Sequence, residues 1–397
     1  MAKKLEKRAP DIRFKGFTDD WEQRKLKELA VINPKAELPD KFEYVDLEAV
    51  VGTQLIHTQK VTKESAPSRA QRLAKYGDIF YQTVRPYQKN NLLFTISNTQ
   101  INYVFSTGYA QLRARIDKMF LFSVLQKQNF VDKVLNKSTG TSYPAINSKD
   151  LGNIKEKFPN ATSEQHKIGK SIKIVDNLIV LQQKKLEQIK LLKKAMLQQI
   201  FPDKDGKLQV RFTGFTDAWE QRKLGEVFEE YSEKNHPELP ALTIIQGGGT
   251  ILRDKSDRHL QYKSSSLSTY KLVNPNDFIV HLRSFEGGLE KATNRGIISP
   301  AYHTFHGKNI DSQFYYAYFR SNEFIHHALV PHVYGIRDGR SIDINGMKSI
   351  NIPWANFLEQ QAIGDFIERF DQLIALHQRK LNHLQLLKKF LLQKMFI

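Results

Sequence analysis

The chain predicts an α+β protein: two mixed α/β domains related by pseudo-two-fold symmetry and separated by two long antiparallel coiled-coil helices. Three observations predict it: an aromatic opening block that occurs twice, a long periodic helix that occurs twice, and short strand-like runs between them. Self-similarity at this scale, with a unit of roughly two hundred residues, is of domain size and too long for a solenoid.

Taken in order, residues 1–9 read as a mobile basic tail and 10–160 as the first domain. Residues 161–201 read as the first helix, 202–207 as a linker, 208–357 as the second domain and 358–397 as the second helix. The opening block RFKGFTDDWEQRKLKEL at Arg13 returns as RFTGFTDAWEQRKLGEV at Arg211, so Trp21 matches Trp219 and Arg24 matches Arg222. Between block and helix, runs such as FEYVDL, LLFTI, ALTII and DFIVHL are bounded by Gly, Pro, Asn and Asp, which reads as strands and turns. The stretch Ser312 to Val330 reads as helix.

The two middles share little wording, yet landmarks survive. GDIFYQTVRPYQKN at Gly77 and NDFIVHLRSFEGG at Asn276 each hold an acidic turn residue (Asp78, Asp277), a short strand, an Arg (Arg85, Arg283) and a loop. Near the end of each middle, TGTSYPAIN at Thr139 corresponds to RDGRSIDIN at Arg337.

In the first helix Ile168, Ile172, Val175, Ile179, Leu186, Ile189, Met196 and Ile200 recur at steps of four and three, with Gln182 and Lys193 filling the gaps. Adding 195 lands on Ile363, Ile367, Phe370, Ile374, Leu381, Leu384, Leu391 and Met395, with His377 and Lys388 at the polar positions. Polar residues in such a seam fix register and partner. Flanking Leu178, Leu181, Leu192, Leu373, Leu376 and Leu387 leave apolar surface for a third party. The same pattern also fits two amphipathic helices that each cap their own domain. A helix of nearly forty residues is about 55 to 60 Å long. Antiparallel pairing would hold two similar domains at a fixed spacing, which suits a duplex whose major groove returns about every 34 Å. The repeat order also places Ile397 close to the region where Pro10 begins.

Sixty Lys and Arg against 42 Asp and Glu give a formal charge of +18, which favours a polyanionic partner. With no Cys, disulfides, thiolate metal sites and cysteine nucleophiles are excluded, and a reducing cytoplasm is expected. MAKKLEKRAPD lacks the apolar core of a secretory signal, and no segment has the roughly twenty apolar residues of a membrane span. A soluble, intracellular protein without a membrane partner is expected.

The paired RF-x-GFTD-x-WEQRKL blocks, the helices ending in LLKK followed by MLQQIF or LLQKMF, and the RPY and LRSFEGG segments together resemble the specificity subunit of type I restriction and modification systems. The resemblance spans essentially the whole chain. It implies two target recognition domains, each reading one half of an interrupted site in double-stranded DNA, and two helices that set the gap and dock two methyltransferase subunits. It also implies that adenine methylation with S-adenosylmethionine, and ATP- and Mg-dependent restriction by restriction subunits, belong to partners, so that this chain is non-catalytic and binds no cofactor.

The residues agree. There is no N-P-P-[FY]-like or D-P-P-Y-like methyltransferase motif and no G-x-x-x-x-G-K-[ST] phosphate loop; GGGT at Gly247 reads as a glycine turn at a strand end. The histidines at 303, 306, 326, 327 and 332 read as surface or groove residues rather than a metal site. Base and phosphate contacts need Arg, Lys, and small hydroxyl or amide donors on accessible loops. In the first domain these are Arg69, Arg72, Arg85, Tyr87, Gln88, Lys89, Asn90, Thr141, Ser142 and Tyr143. In the second they are Lys263, Ser264, Arg283, Ser284, Arg337 and Arg340. Arg85 and Arg283 fit equally a structural role, pairing a nearby carboxylate. Two other readings stand beside this one: a self-contained DNA methyltransferase or nuclease, and a coiled-coil assembly protein that binds DNA without sequence preference.

Overall fold

In both repeats the EQRK of the opening block forms a strand that pairs antiparallel with the strand arriving just before the long helix. Glu22–Lys25 pairs with Lys155–Phe158, and Glu220–Lys223 with Asn351–Trp354. The computed structural model describes residues 9–98, 100–201, 209–256, 264–335 and 340–397. They divide into two compact units, Met1–Gln183 with Arg379–Ile397, and Lys184–Gln378. Each long helix therefore gives one half to each unit, where sequence boundaries set it apart as an element of its own.

In the first unit, Ala30–Ile32, Tyr109–Ala114, Ile79–Gln82 and Leu92–Leu93 form one four-stranded sheet. The apolar run IFY is buried on both faces, which is why it stands at the sheet interior beside the longest strand. A second sheet orders Gln59–Thr62, Lys41–Val45, Tyr103–Ser106 and Ala70–Leu73. The second unit repeats the first sheet with Phe228–Tyr231, His303–Gly307, Phe278–Val280 and Glu290–Lys291.

A short helix packs on each of these sheets, Lys118–Gln126 and Ser312–Phe319, and each starts on an Asp. Asp117 accepts from the N–H groups of Met119 and Phe120, and Asp311 from that of Phe314, satisfying donors that a helix start leaves open. The predicted helix over 312–330 is interrupted. After Phe319 it restarts at Ser321, whose Oγ accepts the Phe324 N–H (3.1 Å), and continues as a π-turn over Glu323–Leu329.

The long helices span Thr162–Ile200 and Phe357–Lys394. In the first unit Ile168 and Ile172 share a core with Met395 and Phe396, while Asp176 pairs with Lys388 at 2.6 Å. Rising numbers on one helix meet falling numbers on the other, so the halves run antiparallel. The second unit mirrors this, with Ile363 and Ile367 against Ile200 and Met196, and Lys193 on Asp371 at 2.5 Å. Ile168, Ile172, Val175, Leu186, Ile189, Ile363, Ile367 and Leu381 are buried, and Ile179, Phe370, Ile374 and Leu384 half-buried. The alternative of helices that each cap only their own domain does not hold, since every unit takes a half from both. Near Pro10, the Ile12 N–H donates to Lys394 O (2.9 Å), and Ile397 O accepts from Lys127 Nζ (2.9 Å).

Glycine in a helix interior costs stability relative to Ala unless contact demands it. At Gly169 a Cβ would lie 2.3 Å from Phe120 N, and at Gly364 2.2 Å from Asp311 Oδ1, so both long helices touch the start of the short helix through a bare backbone. Gly169→Ala is therefore expected to destabilise the protein by about 1–3 kcal/mol despite Ala's better helix propensity. Urea unfolding checks this; a stabilised variant would show that the contact yields without strain.

Candidate nucleic-acid interface

In the first unit two loops are laid against each other at the end of Ile79–Gln82. Val84 and Ala145 form an antiparallel bridge, the Ile146 N–H donates to Thr83 O (3.1 Å), and the Arg85 N–H donates to Pro144 O (2.8 Å). Arg85 is left-handed (φ 54°, ψ 54°), and its guanidinium carbon sits 4.2 Å above the ring centroid of Tyr143. Tyr143 is 62% exposed and Tyr87 50% exposed. Thr141 and Ser142 are exposed as well.

Side-chain amides hold this loop, two of them, Gln82 and Asn91, buried. Asn91 Oδ1 accepts the Gln82 N–H (2.8 Å), Gln88 Oε1 accepts from Gln82 Nε2 (2.9 Å), and Asn90 Oδ1 accepts the Gly52 N–H (2.9 Å). Lys89 turns away from the Arg85 stack: its Nζ donates to Gln128 Oε1 (2.8 Å) and Gln126 O (3.3 Å), in a cleft of about 750 Å³ that Lys388 and Lys389 also line. Burial lowers the Lys89 pKa; the charge of Asp132 opposes this, and those of Lys388 and Lys389 add to it. Such a lysine cluster favours an anion.

In the second unit the same two loops carry the chemistry the other way round. Phe285 stands in the short helical turn Ser284–Gly287, and the Arg340 guanidinium carbon lies 5.5 Å from its ring centroid. Glu290, fully buried, instead holds the glycine turn at 247–249: it accepts from the N–H groups of Gly247 (2.6 Å) and Gly249 (3.2 Å) and from Tyr316 Oη (2.9 Å), and also pairs with Arg320. GGGT is thus the turn of the hairpin Leu242–Ile245 and Gly249–Leu252. Gly288 (φ +83°) lets the chain pass where a Cβ would lie 2.1 Å from Phe319 O.

The two corresponding four-stranded sheets, one in each unit, each carry a buried acid just before a central strand. Asp78 takes two hydrogen bonds from the Arg113 guanidinium (2.9 and 2.8 Å) and one from Gln111 Nε2 (2.7 Å). Asp277 pairs with His306 (2.8 Å) and receives the hydroxyl of Tyr231. His303 pairs with Glu230 (2.6 Å), and His326 and His327 line a groove with Lys194 and Phe201. Among the described residues no group of three or more His, Cys, Asp or Glu gathers as a metal would require. No helix among the described residues is long and apolar enough to cross a membrane.

The family comparison bears on both units at once: the family described as the type I restriction modification DNA specificity domain matches residues 18–191 and again 216–386. The chain belongs to this family. The MjaVIII type I restriction enzyme specificity subunit of Methanocaldococcus jannaschii is 31% identical over 149 residues, 36% of this chain and 34% of that protein. The HindI specificity subunit of Haemophilus influenzae is 24% identical over 211 residues, 51% of this chain and 45% of that protein. The chain thus spans less than half the length of either curated relative. The fold is that of the type I restriction-modification S subunit from M. genitalium (TM-score 0.62, 14% identity, 98% of this chain and 99% of that one). It also matches a chain solved in work on complex assembly and conformational transition of the type I R-M system (TM-score 0.55, 21% identity, 95% and 97% covered).

Within this frame the expected contact residues separate. Arg85 and Tyr143 come together across the loop pair, Tyr87, Thr141 and Ser142 are exposed on the same two loops, and Arg283 and Arg340 are exposed on theirs. Neither Arg85 nor Arg283 pairs a carboxylate of the described residues. Ser284 is a correction: it is fully buried and its Oγ accepts the His281 N–H (2.9 Å), because the turn folds it inward. Gln88, Lys89 and Asn90 are instead engaged by hydrogen bonds to Gln82, Gln128 and Gly52, Gln88 remaining exposed. Arg69 is exposed and Arg72 half-buried on the second sheet, with Arg72 Nε lacking a hydrogen bond. Lys263 and Arg337 lie outside the described residues, as do the side chain of Ser264, the tail to residue 8 and the linker. Phe285 stands in the loop after Arg283, beside the glycine pair of FEGG, whereas Asn91 and Glu290 carry no local sequence signal of their supporting role.

His281 accepts the Arg283 N–H on Nδ1 (3.2 Å), and burial, with Arg320's charge, lowers its pKa to about 4. Its folded pKa is below the unfolded value near 6.5, so stability is full above that value and falls as pH drops through 4. His281→Phe is expected to flatten this loss, by up to about 3 kcal/mol across that window. Urea unfolding between pH 4 and 7 checks it; an unchanged slope would place the titration elsewhere.

Proposed function

We propose that this chain is the sequence-reading subunit of a type I restriction-modification complex. Each unit reads one half of a two-part target in double-stranded DNA, and the long helices set the unread gap and dock two methyltransferase subunits. The observation that carries the reading is the duplication: one specificity-domain match per unit, each with its own arginine-bearing loop pair. A charge of +18 supports a polyanionic partner. Leu181, Leu191, Leu358 and Leu386 are 60–68% exposed on helices whose seam is buried, which supports a protein partner along them. Adenine methylation with S-adenosylmethionine and ATP- and Mg-dependent restriction belong to partner subunits in this reading, and the chain acts in the cytoplasm as a non-catalytic component.

The deciding experiment is to purify the chain with a methyltransferase subunit and map methylated adenines on random-sequence DNA by single-molecule sequencing. A two-part motif with a fixed gap supports the proposal, and methylation without a motif sinks it. Replacing residues 31–159 by those of a relative is expected to change one half-site only; a change in both halves would refute independent reading. One heptad inserted into both helices at their midpoints adds about 10 Å, and the gap is expected to grow by roughly three base pairs. An unaltered gap in the methylation map would show that the helices do not measure it.

A further inference from the structure

The two units place an arginine on an aromatic ring between the same two loops, but with the donors exchanged. In the first, the loop after the central strand supplies Arg85 and the later loop supplies Tyr143. In the second, the earlier loop supplies Phe285 and the later loop supplies Arg340. We propose that these two stacked arginines are the guanine readers of the protein, Arg85 in one half-site and Arg340 in the other. The proposal rests on the DNA-reading function above and adds which side chain reads which base.

Four observations carry it. First, neither guanidinium has a hydrogen bond or ion pair to a described residue, whereas Arg13, Arg113, Arg211 and Arg320 are each held by a buried carboxylate. Second, Arg85 occupies the left-handed region (φ 54°), which L side chains adopt at a cost, and three backbone contacts to the later loop keep it there. Third, a ring lies 4.2 Å from the Arg85 guanidinium carbon and 5.5 Å from that of Arg340, a cation–π contact that restrains the fork while its N–H groups keep no partner among the described residues. A phosphate contact needs no such restraint, while the paired acceptors O6 and N7 of guanine in the major groove do. Fourth, an arginine-to-ring contact joins the same two loops in both units although TGTSY and RDGRS share no wording and the partners stand at different positions. Holding the fork in place beforehand also lowers the ordering cost on binding.

The test selects bound duplexes from a random-sequence pool with the full-length chain in its methyltransferase complex, comparing wild type with Arg85→Lys, Arg340→Lys, Tyr143→Phe and Tyr143→Ala. The wild type is expected to select a guanine on one strand of each half-site. Arg85→Lys keeps the charge and loses the fork, and is expected to lower the preference for one guanine roughly 5- to 150-fold while the other half-site stays as it was. Arg340→Lys is expected to do the same in the other half. Tyr143→Phe keeps the ring and should leave that preference in place, whereas Tyr143→Ala, a change to an exposed side chain that does not endanger folding, should weaken it. If Arg85→Lys weakens all sequences by one factor and leaves the motif intact, or if a half-site contains no guanine, the proposal is overturned while the two-part reading stands. A wild type that selects no two-part motif overturns the function itself.

Discussion

The core of each unit is completed by an aromatic side chain from the other repeat's helix. Trp21 meets Phe120 at 5.8 Å and Phe396 at 6.2 Å; in the second unit Phe314 lies between Trp219 (5.5 Å) and Phe201 (5.3 Å). Phe396 belongs to the second repeat and Phe201 to the first, so neither half of the sequence has a full core by itself. Aromatic residues bury 150–250 Å² each and are worth more in edge-to-face pairs than their area alone, which makes this exchange a strong constraint. A bidentate ion pair closes the same corner in both units, Arg13 on Glu164 (2.7 and 2.9 Å) and Arg211 on Glu359 (2.6 and 2.8 Å). The repeats differ in one detail. Trp219 Nε1 donates to Glu359 (2.9 Å), while Trp21 Nε1 makes no hydrogen bond to a described residue.

Once the helix ends are exchanged, the seam must be held in register. Lys193 and Lys388 sit where apolar residues would continue the pattern, and each reaches an aspartate of the facing helix. Such pairs add little net stability, but a slipped seam would leave both the lysine and the aspartate without a partner. His377, at another polar position, is buried and also has a partner. Register, rather than strength, is the physical purpose of these interruptions, and it fixes where each short helix meets the bare backbone at Gly169 and Gly364.

The reading loops are then free to differ because what lies beneath them is rigid. The buried carboxylates Asp78, Asp277 and Glu290 are each tied by hydrogen bonds to neighbouring elements: Asp78 to Arg113 and Gln111, Asp277 to His306 and Tyr231, and Glu290 to its four donors. Ties of this kind favour one arrangement of the strands that carry the loops. Side chains at the tips are relieved of structural duty, and their chemistry can follow the ligand. Lys89 and Ser284 lie within reading loops but face inward, and so belong to the scaffold.

The duplication, the long helices, the strand-rich middles and the glycine turn at GGGT were legible in the sequence because each is periodic or local. Heptad spacing, repeated words and turn residues are properties of neighbouring positions, and the buried seam from Ile168 to Leu381 follows from them. The opposed orientation of Ser284 and Arg283, the pairing of Arg340 with Phe285 and the anchoring by Glu290 were not. Each depends on which of two distant loops faces the other, and on a carboxylate 41 to 43 residues from the backbone amides it holds. By itself the sequence determined the doubling, the long helices and the strand-rich middles between them. Only the tertiary structure decided which side chains reach the surface, because that choice is made by long-range packing and by the satisfaction of buried polar groups.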